Sequence, residues 1–197
     1  MGKREIWSVE IYKNPLNPFR FYLLNVDCIT ASMQVYQQAL KVRKISFGGD
    51  NLQVALAHED LAYATYVNEY SSGWCFPEKI YIESIINISG KFSDAKRHAE
   101  TSLSIMGKYL PTDHLFLASS KRVLALILEE IAIDTGHIQD RTLLAKSEGL
   151  HRFALDLARL NFGECNVQTA KHYGNLGRLY QVVWKFHKYK TLMSILS

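Results

Sequence analysis

From residue 27 onward, apolar residues recur at threes and fours, the spacing of one face of an α-helix. Asp27 is placed to cap a helix N-terminus, and Met33, Tyr36, Ala39, Leu40 and Ile45 form a single stripe behind it. Gly48-Gly49-Asp50 breaks that helix. A second follows with Leu52, Ala55, Leu61, Ala62 and Tyr66 on its stripe, where the small residues at 55 and 62 let a neighbouring helix come close. The same reading predicts helices at about 91–108, 113–134, 139–161 and 166–183, with Asp94, Asp113 and Gln139-Asp140 near their starts.

The pattern repeats. A segment from Ser32 matches one from Ser147 at a constant offset of 115 residues. Ala39-Leu40 meets Ala154-Leu155, Phe47-Gly48 meets Phe162-Gly163, Asn51 meets Asn166, Ala55 meets Ala170, and Leu61-Ala62 meets Leu176-Gly177. A weaker third copy at an offset of 63 pairs Leu110-Pro111 with Phe47-Gly48, Ala118 with Ala55 and Leu124-Ala125 with Leu61-Ala62. Each copy reads helix, short turn, helix. Helix pairs of which none can bury its apolar face alone predict an all-α solenoid of stacked pairs; the alternative is an irregular helical bundle.

Composition sharpens this picture. At 48% hydrophobic residues the 197-residue chain can bury a core, and four prolines leave few helix interruptions. The net charge of +4 is spread along the chain and not gathered in a stripe, which argues against a nucleic-acid partner. Cys28, Cys75 and Cys165 are far apart and form no C-x-x-C, as expected of apolar fillers in a reducing compartment. The N-terminus lacks the apolar run of a signal peptide, and the longest greasy stretch, Val123 to Leu128, is far short of a membrane span. These features predict a cytoplasmic protein without membrane insertion, with nuclear or membrane-peripheral placement left open.

No arrangement for chemistry emerges. There is no Walker sequence, G-x-S-x-G or H-E-x-x-H, and the seven histidines are scattered. His58 reads as a core-edge or surface residue, with no second ligand at helical spacing, and Glu129-Glu130 as the solvated side of its helix. The expectation is a non-enzymatic chain without metal or cofactor.

Two short runs carry a resemblance. Ala99, Ser102 and Leu103 after Gly90-Lys91-Phe92-Ser93-Asp94-Ala95 resemble the second helix of a tetratricopeptide repeat, and Asn175-Leu176-Gly177-Arg178-Leu179-Tyr180 resembles a first helix. The turn with Phe-Gly or Leu-Gly between helices is similar to that of kinesin light chains. Longer runs, among them Phe21-Tyr22-Leu23-Leu24-Asn25-Val26-Asp27, Glu59-Asp60-Leu61-Ala62-Tyr63-Ala64 and Asn166 through Tyr180, make Phe21 to Gln181, about four-fifths of the chain, resemble the amyloid protein-binding protein 2 family. The resemblance implies an adaptor whose repeats bind short linear peptide segments, including a cytoplasmic sorting tail of the amyloid precursor protein. It also implies association with microtubule-linked transport machinery and substrate reception in a cullin-RING ubiquitin ligase. The ligase role in that family uses an N-terminal elongin-binding box, for which Met1 to Arg20 shows no counterpart.

That resemblance divides the chain into an N-terminal segment, 1–26, tetratricopeptide-like repeats over 27–183, and a non-repeat tail, 184–197. Between Ser71-Ser72-Gly73 and Lys91 the chain carries seventeen residues without a family counterpart, Trp74 to Gly90. The segment reads as an insertion, expected to be the least ordered part of the interior. It and the residues after Gln181 read as translated intron, so a nonfunctional gene-model fragment stands as the alternative to an adaptor. In tetratricopeptide stacks the first helix of each pair lines the groove, and the three copies place Asp60, Val123 and Asn175 at one position on it. Lys171, Asn175 and Arg178 share a helix face that is expected, with Asp60, to bind peptide: Asn175 would grip a ligand backbone and the two cations a carboxylate. A solvated basic face is the plainer reading. Arg152 is expected on the opposite, convex side.

Overall fold

The computed structural model describes residues 29–72, 81–134 and 141–196, with side chains over 31–69, 92–133 and 142–184. Among these residues the chain is all-α, with six helices and no strand. They are α1 (Ile29–Phe47), α2 (Leu52–Ser72), α3 (Tyr81–Tyr109), α4 (Leu115–Asp134), α5 (Arg141–Phe162) and α6 (Val167–Leu196). The chain divides after Leu110 into two compact units. In the first, α1 packs on α2 and α2 on α3; in the second, α4 packs on α5 and α5 on α6. Within each unit, this packing of a helix on its chain neighbour is that of a helical solenoid.

The 115-residue repeat holds down to single hydrogen bonds. Gly48 and Gly163 both adopt φ of 79°, the left-handed conformation that ends a helix and that glycine enters without strain. The Gly48 amide donates to the Lys44 carbonyl (3.0 Å) and the Gly163 amide to that of Arg159 (2.9 Å), which are again 115 residues apart. Asn51 Oδ1 then accepts from the Gln53 amide, and Asn166 Oδ1 from the Gln168 amide, each at 2.8 Å, so both asparagines are N-caps.

The third copy follows with different chemistry. His114 stands where the other two have asparagine, and its Nδ1 accepts from the Phe116 amide at 3.1 Å. The helix before it ends at Tyr109, ahead of Pro111 where the other copies use glycine. The cap expected from Asp113 therefore comes from its neighbour. Asp94, expected near a helix start, lies inside α3 and pairs with Arg97 at 3.0 Å. Asp27 and Gln139-Asp140 lie outside the described residues.

Each second helix approaches a first helix closely enough to bond its backbone. Ser102 Oγ in α3 donates to the Ala55 carbonyl of α2 (2.8 Å), and Ser147 Oγ in α5 to the Ala125 carbonyl of α4 (3.0 Å). Only a small residue on the first helix permits this, and Ala55, Ala62, Ala118 and Ala125 are all buried. Ala118 packs with Ala154 and Leu157, while Ala132, Leu144 and Leu179 tie α4, α5 and α6 together.

Three expectations change. Ile45, read as part of the first stripe, is 76% exposed at the end of α1, where the chain turns away. Residues 81–90 of the segment read as an insertion are the opening turns of α3, continuous with 91–109, while 74–80 lie outside the described residues. The helix expected to stop near 183 runs on to Leu196 as part of α6.

Because the two caps are equivalent, removing them should cost the same. Asn51→Ala and Asn166→Ala should each lower stability by about 1 kcal/mol, and Gly48→Ala and Gly163→Ala by a similar amount through backbone strain. Urea denaturation of the four variants checks this, and losses confined to one copy would break the equivalence.

Candidate functional site

The cations that the sequence places on one helix face meet a polar cluster in the second unit. Lys171, Asn175 and Arg178 follow one another at i, i+4 and i+7 on α6. Arg178 does not stand ready for a ligand: its guanidinium donates to Glu129 Oε2 (2.9 Å) and Glu130 Oε1 (3.2 Å) of α4. The Glu129-Glu130 pair is therefore not the solvated side of its helix. Both residues are buried, and Arg178 is the counter-ion that makes this tolerable. Even so, burial pushes the Glu129 carboxyl up to about 7, with Arg178 pulling it down and Glu130 pushing it further up.

Around this bridge, basic side chains crowd together. His151 of α5 is fully buried, and neither ring nitrogen has a hydrogen-bond partner among the described residues. Burial lowers it to about 4, helped by Arg178, Arg122 and His172. Burial followed by Arg122 and Lys171 holds His172 at about 4 as well. Lys171 itself is lowered by burial and by Arg122, and it has no carboxylate partner among the described residues. The Asn175 Nδ2 amino group is buried and makes no hydrogen bond there either. The arrangement thus offers a neutral donor and an uncompensated cation one turn apart, which suits a carbonyl or carboxylate oxygen.

The remaining predicted residues lie elsewhere. Asp60 belongs to the first unit, where its carboxylate is 3.9 Å from the buried Arg43 of α1, and Val123 at the equivalent place in α4 is buried and apolar. Arg152 bonds Glu148 (2.9 Å) and the Tyr180 hydroxyl (2.7 Å) in an exposed network along α5 and α6.

Sequence reasoning missed a histidine pair in the first unit. His58 of α2 is buried, and its Nδ1 lies 2.7 Å from Nδ1 of His98 in α3, so one ring donates and the other accepts. That separation is a hydrogen bond; two nitrogens sharing a tetrahedral zinc stand roughly 3.3 Å apart. Burial, then Lys44, His98 and Arg97, lowers His58 to about 4, and burial together with Arg97 lowers His98. Beside the pair lies a cavity of about 240 Å³, lined by residues including Gln37, Thr65, Glu69, Asp94 and His98. No signal in the sequence links positions 58 and 98, since the helices that carry them meet only on folding. No group of three or more metal-ligating side chains occurs among the described residues.

The chain is 52% identical over 176 residues to amyloid protein-binding protein 2 of rat, and equally to that of mouse. Over these residues it is similar to amyloid protein-binding protein 2. The match covers 89% of this chain but 27% of the relatives, so the chain spans about a quarter of their length. No protein-family model matches the sequence. Among the described residues, no helix is long and apolar enough to cross a membrane.

The three buried histidines make stability depend on acid. Each has a folded value near 4 against about 6.5 unfolded, so at pH above about 6.5 they are neutral in both states and cost nothing. As pH falls from there toward 4 the unfolded chain takes up protons first, and stability is lost. Glu129 acts oppositely, being raised, and weakens the fold as pH rises from about 4.5 to 7. The unfolding midpoint should therefore drop between pH 6.5 and 4, and His151→Leu should flatten that drop. A profile unchanged by His151→Leu would mean that the ring is not held neutral by burial.

Proposed function

We propose that the chain is a non-enzymatic adaptor module that binds short linear peptide segments through the first-helix face of its second unit. The observation that carries this reading is the buried, unsatisfied Asn175 amino group one turn from Lys171. A buried donor without an acceptor costs roughly 1–3 kcal/mol, and an outward turn of the Asn175 side chain to a peptide carbonyl laid along α6 removes that cost while Lys171 attracts a carboxylate. Asn175 grips backbone and Lys171 supplies charge. Arg178 steadies the site through Glu129 and Glu130. Asp60, within the first unit, is proposed as a separate peptide contact of that unit.

The relatives are named for binding an amyloid protein. Carried over to this chain, with the family resemblance, the partner is the cytoplasmic sorting tail of the amyloid precursor protein. The setting is then microtubule-linked transport and substrate reception in a cullin-RING ubiquitin ligase, in the cytoplasm.

A synthetic peptide of that tail, titrated against the chain, tests the reading. Lys171→Ala should weaken binding roughly ten- to a hundredfold, as loss of a charged hydrogen bond does, and raised salt should weaken the parent. Arg152→Ala should do little, since its partners are on α5 and α6 at the surface. Arg178→Ala should instead lower stability, because it strands two buried carboxylates. Equal binding losses for Lys171→Ala and Arg152→Ala would remove the assignment.

A further inference from the structure

In the second unit the seam between α4 and α6 carries two rungs of opposite character. Ala118 packs with Ala154 and Ser147 bonds Ala125, so α4 and α5 run antiparallel. Arg152 bonds Tyr180 and Leu144 packs with Leu179, so α5 and α6 do the same, which leaves α4 and α6 parallel. Arg178 meets Glu129, 49 residues earlier in the chain. Two turns toward the start of each helix, the same offset sets Lys171 against Arg122. The first rung is closed from within by carboxylates, and the second brings cation to cation.

Nothing acidic balances the α6 side of that second rung. Lys171 is exposed, and the influences that lower it, burial first and Arg122 second, are offset by no carboxylate among the described residues. His172 beside it is lowered by burial, Arg122 and Lys171, so the three lie within electrostatic reach of one another, as the register requires. Arg122 is half-buried and has contacts of its own within the chain, which anchor it while Lys171 stays at the surface. We propose that the Arg122–Lys171 rung seats the phosphate of a phosphorylated serine, threonine or tyrosine in the bound peptide. This deepens the peptide reading above and rests on it. At neutral pH a phosphomonoester offers about −1.5 to −2 charges and three acceptor oxygens, enough for a guanidinium and an ammonium together, whereas a carboxylate has a single charge to divide between them. The ligand thereby supplies the anionic partner that Glu129 and Glu130 give Arg178. Asn175, one turn along α6, lies between the two rungs, on the path of the same peptide's backbone.

The probes are synthetic peptides of the tail named above, unmodified and with each serine, threonine or tyrosine phosphorylated in turn, titrated against the full chain. At least one phosphorylated form should bind roughly ten- to a hundredfold more tightly than the unmodified peptide. Lys171→Gln, at an exposed position, should reduce that ratio to below about threefold with an unchanged melting temperature, and Arg122→Gln should reduce it as well. Arg152→Gln should preserve it, since that side chain is engaged with Glu148 and Tyr180. If no phosphorylated form binds better while the unmodified peptide still binds, this inference falls and the peptide reading stands. Absence of saturable binding by every form would remove both. A ratio that survives Lys171→Gln would overturn the assignment to this rung, and inorganic phosphate bound as tightly as the phosphopeptide would overturn it in favour of a free anion.

Discussion

Everything in this structure hangs on how near two helices can come. The first helix of each pair presents alanine where an ordinary core would present leucine, and the second helix comes within one serine side chain of its backbone. Bulk at those positions would push the axes apart and leave the serine hydroxyl without its acceptor. The same economy explains why alanines such as Ala55, Ala62 and Ala125 are fully buried beside large side chains such as Met106, Ile127 and Leu128: close backbone contact adds to the interdigitated core.

A constraint of this kind works only if each helix starts and stops on the right residue. The glycine at φ 79° and the asparagine cap three residues later fix the turn, and their recurrence at 115 residues shows one unit of design used twice. His114 shows how the third copy keeps the geometry with other atoms, a ring nitrogen accepting where an amide oxygen does elsewhere. That substitution, with Pro111 in place of the glycine, is why this copy is faint in sequence.

Most of the fold was therefore legible beforehand, because periodicity, glycine breaks and small residues are local signals. Ile45 was misread since a stripe says nothing about where the partner helix ends. The candidate site was less legible. The three residues of α6 were found on one face, but Glu129 and Glu130 looked like solvent-facing charge until Arg178, nearly fifty residues on, was seen to neutralise them. The His58–His98 pair was missed for the same reason: the partner comes from another helix, at no fixed sequence spacing. In the second unit the outcome is a lysine without a carboxylate partner among the described residues and a buried amide donor one turn from it, and this pair is what the functional reading uses.

The most direct test of the close-approach account is to enlarge the two alanines at the centre of the rows. Ala62→Leu and Ala125→Leu should each lower the free energy of unfolding by about 1–3 kcal/mol or more in urea, since the added methylenes have no room beneath the neighbouring helix. Stability equal to that of the parent in both would show that the helices do not approach closely, and would contradict the account.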